Sequence, residues 1–407
     1  MQSSAARSAR ISRPAWLTRN VAVLSGVSLL QDAASEMLYP VLPILLTVVL
    51  GAPPAVVGAV EGAAEGVASL TKVLAGRIAD RVPKKELIGS GYGLAAAGKA
   101  IIAVAYAWPA VLLGRCVDRL GKGIRAAPRD ALLVAGVDTA TRGRAFGLHR
   151  TADTGGAVLG PALGLLLYEL LGRQLRPLLA VAVIPAVLSA LLVTAVKAPP
   201  VPSPSGHPVP AAGRPPALPR RLRRLIAVLA LFSLVNFPDS LLLLRAHDLG
   251  LPTSGVIAAY ILYNIVYAGL SYPAGALSDK LPKHVVFATG LGFFALGYLG
   301  LGLISSPEWV FPVLLAYGGF SACTDGVGKA WVSSLAPEAA QGRAQGLFQG
   351  LTGGAILVAG LWAGLAWGPS GQLPLLASGA AGLGLALVLL LAGPRLTPES
   401  RGAPPPP

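Results

Sequence analysis

The chain has 407 residues, 54% hydrophobic and only 13% charged, with a mean hydropathy of +0.66. Soluble domains carry about 25% charged residues, so a soluble chain of this length is excluded and the membrane class is implied. The net charge of +15 sits mainly in short segments between apolar runs, where Lys and Arg mark loops held on the cytoplasmic side beside anionic lipid. It is read as a topology signal rather than as a nucleic-acid surface.

Residues 1–20 form a basic arm with Arg7, Arg10, Arg13 and Arg19. The run that follows is too long for a signal-peptide core, and no small-residue cleavage site is present, so the arm is expected in the cytoplasm. Six apolar runs near 21–49, 55–75, 87–107, 109–132, 143–170 and 176–197 each have the length that crosses about 30 Å of hydrocarbon. They predict an amino-terminal six-helix bundle over 21–197. Residues 198–224 are rich in Pro, Ser and Gly and then basic, a composition that gives an extended linker. Six more runs near 221–246, 253–275, 284–304, 309–333, 342–366 and 372–393 predict a second bundle over 225–393, followed by a tail over 394–407. The reading is an all-α membrane protein of twelve transmembrane helices in two pseudo-symmetric six-helix bundles.

Loop charge sets the orientation. The even connections hold Arg77, Arg81, Lys84 and Lys85, then Arg142 and Arg144, the linker arginines, Lys280 and Lys283, and Arg343, whereas among the odd connections only the third carries Arg. Both termini and the linker are therefore expected in the cytoplasm. Cys116 and Cys323 lie inside apolar runs with no metal-ligand spacing and no disulfide framework.

The halves repeat at one offset. Gly76-Arg-Ile-Ala-Asp80-Arg81-Val-Pro83-Lys84 returns as Gly275-Ala-Leu-Ser-Asp279-Lys-Leu-Pro282-Lys283, Gly143-Arg-Ala-Phe-Gly147 as Gly342-Arg-Ala-Gln-Gly346, and Leu50-Gly51 as Leu249-Gly250, each 199 residues later. Such a repeat implies two similar bundles able to rock around a midplane site.

At these residues the sequence resembles the major facilitator superfamily. Gly76 to Lys85 is similar to the family's loop signature G-x-x-x-D-R-x-G-R-K between spans two and three, departing at Pro83, and the stretch from Gly275 to Lys283 repeats it. Small residues let helices approach, and Asp80 can pair with a neighbouring Arg or a helix N-terminus. Asp80, with Arg81 and Asp279, is expected to act as a conformational latch rather than a ligand. Arg115-Cys-Val-Asp118-Arg119-Leu-Gly121-Lys122-Gly123 resembles R-x-x-Q-G-x-G-x-G, with Asp118 for the Gln and Arg119 for the first Gly. The resemblance implies a link between Arg115 and proton transfer. Gly156-Ala-Val-Leu-Gly160-Pro161-Ala-Leu-Gly164 fits G-x-x-x-G-P-x-x-G at every fixed position, a pattern that in the family implies an antiporter. Mechanically it leaves one bare helix stripe for close packing, with Pro161 able to bend the helix.

An ionisable group at membrane depth costs about 2.5 kcal/mol or more, so each needs a reason. Asp32 and Glu36, Glu61 and Glu65, and His149 and Asp153 are each four apart and share a helix face. Arg115, Asp118, Lys122, Arg125 and Arg129 step by three and four along span four and form one stripe that cannot face lipid. These groups either form a structural ion-pair network or line a wet cavity. For Asp118, Arg129, Asp130 and Arg150 the network is the simpler reading. Asp32 and Glu36 fall in the first span, which in the resembled family lines the central cavity, so substrate or proton binding stands beside it.

In the second half, Asn236-Phe-Pro238-Asp239 interrupts span seven, where a proline frees backbone groups for a substrate. Tyr260, Asn264 and Tyr267 share a stripe of span eight, Asp325 and Lys329 are expected to pair, and Gln345 and Gln349 mark one face of span eleven. An ionic half facing an aromatic-polar half suits an amphipathic substrate with a charged end.

The leading function is therefore a secondary active transporter, working as a monomer in a bacterial inner membrane and exporting small amphipathic compounds in exchange for protons. Uptake of a small nutrient and transport of a divalent metal are the alternatives, and a non-transporting sensor is a third class. No phosphate loop, nucleophile elbow or metal spacing suggests an enzyme or a cofactor.

Overall fold

In lipid every backbone polar group must be satisfied within its own segment, which long apolar runs achieve as helices. The computed structural model describes residues 14, 16–78, 82–133, 135–138, 141–197, 218–337 and 340–396, and among them all regular structure is helical. The first helix, α1 (Arg19–Leu38), continues through a 3-10 turn at Tyr39–Val41, a short α2 (Leu42–Ile44) and a π-turn at Leu45–Val49. Then come α3 (Pro54–Ile78), α4 (Lys84–Ala103), α5 (Trp108–Leu133), α6 (Arg142–Leu170) and α7 (Leu175–Leu192). The second set is α8 (Arg220–Ser233), α9 (Asp239–Asp248), α10 (Thr253–Lys280), α11 (Lys283–Leu303), α12 (Val310–Leu335), α13 (Gln341–Leu365) and α14 (Gln372–Leu396).

Seven helices among the described residues are long and apolar enough to cross a membrane by length and composition: Arg19–Val49, Leu175–Ala195, Thr253–Ser278, Lys283–Leu303, Pro307–Leu335, Arg343–Leu365 and Gln372–Gly393. The helices outside this set include the one richest in charge, α5, and the halves of a broken one, α8 and α9.

The repeat survives in three dimensions. Helices α3, α4 and α6 begin at Pro54, Lys84 and Arg142, and α10, α11 and α13 begin 199 residues later at Thr253, Lys283 and Gln341. The repeated Leu-Gly pairs end the preceding helices, with Gly51 at φ 65° and Gly250 at φ 97°, a left-handed conformation open to glycine at little cost. Both first helices depart from regular geometry past their middles, as a 3-10 turn at Tyr39–Val41 and as a break at 234–238 that ends where the counterpart of that turn would begin. The cause is local: Pro40 and Pro238 lack the N–H that would continue the ladder. The sequence announced the second break; the first, where Pro40 and Pro43 tighten and then loosen the turns, it did not.

Helices α1 and α4–α7 pack mainly within the first set and α8, α10–α12 and α14 within the second, while α3, α9 and α13 pack mainly across; the two sets meet chiefly along α3 with α13 and α6 with α10. Small residues make these approaches possible. A Cβ on Gly58 would overlap the backbone of Gly360, and one on Gly364 would meet Ala55. The stripe from Gly156 through Gly160 to Gly164 lies against α1: a Cβ on Gly160 would stand 2.6 Å from the Ala33 carbonyl oxygen. Residues 198–217, Asp80, Arg81 and the side chain of Asp279 lie outside the described residues, while Gly76 falls within α3.

Gly360→Val should lower the melting temperature of the purified protein, because overpacking costs about 1–3 kcal/mol. Gly354→Val, one and a half turns away where an added Cβ meets nothing within 4 Å, should leave it unchanged.

Candidate functional site

Residues three and four apart on α5 share a face, and that face turns inward. Arg115 donates from Nε and Nη2 to Glu61 Oε1 and Oε2 of α3 at 2.9 and 2.6 Å, a bidentate pair. Its Nη1 lies 3.8 Å from Asp118, whose other oxygen accepts from Lys99 Nζ of α4 at 2.8 Å. Exposure of Lys99, Arg115, Asp118 and Glu61 is 1, 2, 3 and 6%, so neither water nor lipid can compensate them. Glycines bring the helices together: a Cβ on Gly98 would strike the backbone of α5 at Gly114 and Asp118. Lys99, an isolated cation in an apolar run, was missed in the sequence, although the cost of an unpaired intramembrane charge was signal enough.

The stripe does not act as one unit. Arg125 turns to α4 and lies 4.2 Å from the centroid of the Tyr92 ring, a cation–π contact. Arg129 pairs locally with Asp130 at 3.0 Å. Lys122 is exposed although it lies deep in the fold, as a side chain on a cavity wall would. It is within electrostatic reach of Asp32 and Glu65. Asp32 also faces Arg125, Asp153 and Glu36. Asp153 of α6 accepts from Ser28 of α1 and lies 3.8 Å from His149.

The two sets of helices are joined by a polar contact at this level. Tyr260 of α10 donates to Glu36 of α1 at 2.7 Å. The Tyr39 ring packs 5.4 Å from that of Tyr260 and 6.0 Å from the Arg115 guanidinium. Tyr39 sits in the unforeseen 3-10 turn, which is why its orientation was not legible. Behind Tyr260, the stacked rings of Tyr263 and Tyr317 surround Asp239, the first residue of α9. Asp239 accepts from Tyr263 at 3.2 Å and Tyr317 at 2.8 Å, and its carboxylate stands at a helix N-terminus, where negative charge is favoured.

A cavity of about 270 Å³ lies between the two sets. Of the residues singled out in the sequence, Glu65, Asn236, Asp325, Lys329 and Gln349 line it; Lys72 and four phenylalanines are the principal additions. Asp325 does not pair with Lys329 as expected: it accepts from Tyr267 at 2.9 Å, because the helix rotation carries its carboxylate toward α10. Asn264 is buried and donates to the Tyr260 carbonyl one turn back, so its amide serves its own helix. Gln345 bonds Ser333 and the Lys329 carbonyl, each at 2.8 Å, while Gln349 faces Lys72 of α3 at 3.5 Å. No cluster of three or more metal-ligating side chains occurs among the described residues.

A model described as Major Facilitator Superfamily matches residues 24–244 and 225–407. An uncharacterized MFS-type transporter of Methanocaldococcus jannaschii is 33% identical over 358 residues, covering 86% of this chain and 89% of that protein. Multidrug resistance protein MdtH of Citrobacter koseri is 28% identical over 299 residues, covering 71% and 73%. Among solved structures, a peptide transporter POT in complex with sulfate superposes with a TM-score of 0.77 at 16% identity, covering 94% and 96% of the chains. The nucleoside transporter NupG gives 0.72 at 15%, covering 92% and 99%.

Glu61→Gln strands a buried guanidinium and should cost about 3–5 kcal/mol, whereas replacing the pair together by Glu61→Met and Arg115→Met should recover most of it. Thermal unfolding of the purified variants reads both. A double variant as unstable as the single one would contradict a pairing role.

Proposed function

We infer the function from one premise: the chain belongs to the major facilitator superfamily, and it is a transporter rather than an enzyme. On this reading it moves a small solute by alternating access, through twelve transmembrane helices in two pseudo-symmetric bundles whose rocking exposes the cavity to one side and then the other. The observation that carries it is the asymmetry of the cavity. Asp325 and Lys329 on its wall are exposed, while the connections at Gly51 and Gly250 lie at the end where Gly58 and Gly360 press α3 against α13. With the termini and the linker in the cytoplasm of a bacterial cell, the open end faces inward, the state that loads an exporter.

Three features support export of amphipathic compounds. The Gly156–Gly164 stripe seats α6 on α1 beside Asp32 and Glu36; the cavity combines phenylalanines with charged groups; and the MdtH relative is described as a multidrug resistance protein. Proton coupling is assigned to Asp32 and Glu36. Both are only partly accessible, and Glu36 holds the hydroxyl of Tyr260 from the opposite set, so a proton arriving there weakens a charge-assisted bond between the halves. Asp80, Arg81 and Asp279 are the proposed latch on the loops, and the working unit is a monomer.

Expression in a pump-deficient bacterial strain should raise tolerance to particular amphipathic compounds, and the Asp32→Asn, Glu36→Gln double variant should not. A wild type that sensitises cells instead would overturn export in favour of uptake.

A further inference from the structure

The charges lining the cavity balance, and they are ordered by depth. Glu65 and Lys72 stand on α3, and Asp325 and Lys329 on α12. Helix α3 leaves the closed end at Gly58, where it presses on Gly360; Ser69 lies against Gly353, and Lys72 faces Gln349. Glu65 is therefore nearer the closed end, and Lys72 about two turns further out. Helix α12 runs the same way. Its outer end lies beside the start of α13, where Gln345 bonds Ser333 and the Lys329 carbonyl, so Lys329 is further out than Asp325. On each wall the carboxylate is inside and the ammonium outside. At about 1.5 Å per residue, the two are about 10 Å apart along α3 and about 6 Å apart along α12.

None of the four is held in an ion pair within 4 Å among the described residues. Asp325 accepts from Tyr267, and the Lys72 ammonium stands 3.5 Å from the Gln349 amide oxygen, long for a hydrogen bond. Four phenylalanines, from α8, α11, α12 and α13, make up much of the remaining lining. Charges drawn partly out of water are costly until they are paired. An anion would meet the ammonium groups but be repelled by the carboxylates, and a cation would suffer the reverse. A molecule carrying both signs, aligned against the order of the cavity, meets all four. Resting on the transporter reading above, we propose that the cargo is a zwitterionic amphiphile whose two charges stand apart. It enters with its ammonium toward Glu65 and Asp325 and its acidic group at the level of Lys72 and Lys329, and its flat apolar body lies on the phenylalanines.

Four probes of one shape test this against the purified full-length protein in lipid nanodiscs. The zwitterion is a naphthalene with an aminomethyl group at one end and a carboxylate at the other. In the others a methyl group replaces the amine, the carboxylate or both. The zwitterion should bind at least about tenfold more tightly than either singly charged probe, the contribution of one charge-assisted hydrogen bond. Glu65→Gln should weaken the zwitterion and the cation by about that factor and spare the anion. Lys72→Gln should weaken the zwitterion and the anion and spare the cation. Asp325→Asn and Lys329→Gln on the other wall should repeat the pattern, and they serve if an α3 variant fails to fold by its melting temperature. The proposal falls if a singly charged probe matches the zwitterion, if zwitterion affinity survives all four substitutions, or if no probe binds the folded protein. Transport into or out of proteoliposomes separates the two readings. Transport of a singly charged probe in preference to the zwitterion would sink the zwitterion inference and keep the transporter. Tight zwitterion binding by a chain that transports no probe would do the reverse.

Discussion

A charge inside a bilayer must find a partner or water, and that constraint organises the amino-terminal half of this protein. Arg115 is the hub. It takes both oxygens of Glu61 on α3 and leans on Asp118 of its own helix, which in turn holds Lys99 of α4. One carboxylate–cation chain therefore ties three helices together, and the remaining charges are arranged around it. Breaking any link leaves a buried ion uncompensated, while the intact chain adds little net stability after desolvation. Its consequence is geometric: α3, α4 and α5 are fixed in rotation, and that rotation decides which side chains reach the cavity.

The two halves solve the same packing problem with different chemistry. The residues 199 positions beyond Glu61, Glu65, Lys99 and Asp118 are Tyr260, Asn264, Tyr298 and Tyr317. Where the first half has the Lys99–Asp118 ion pair, the second has the neighbouring rings of Tyr298 and Tyr317, 5.9 Å apart. Glycine is kept at the matching contact positions Gly98 and Gly297, so the helices still approach closely. The two halves line the cavity differently, the first with Glu65, Ser69 and Lys72 and the second with four phenylalanines beside Asp325 and Lys329. They meet where Tyr260 donates to Glu36.

That meeting point joins packing to motion. The contacts between the sets are of two kinds. Gly58 against Gly360 is a bare backbone surface with no side chains to unlock, suited to a pivot. Glu36 with Tyr260 is a polar bond, suited to being made and broken as charge arrives. A rocking transporter needs both, because a pivot without a latch is indifferent to its cargo.

The sequence by itself determined the helical membrane class, the family, the repeat and the break before Asp239. Each of these is written locally: in apolar run length, in motif spacing, in one constant offset, in a proline. It also determined that the charges of α5 had to face inward, since cost alone excludes lipid. Only the tertiary structure decided which charges meet. Asp325 turned to Tyr267 rather than Lys329, Arg125 to the Tyr92 ring, and Asn264 to its own helix, because pairing depends on helix rotation and separation that no spacing encodes. The irregular turns at Tyr39–Val49 lay beyond reach for the same reason: two prolines announce strain, but the surrounding helices choose how the chain relieves it.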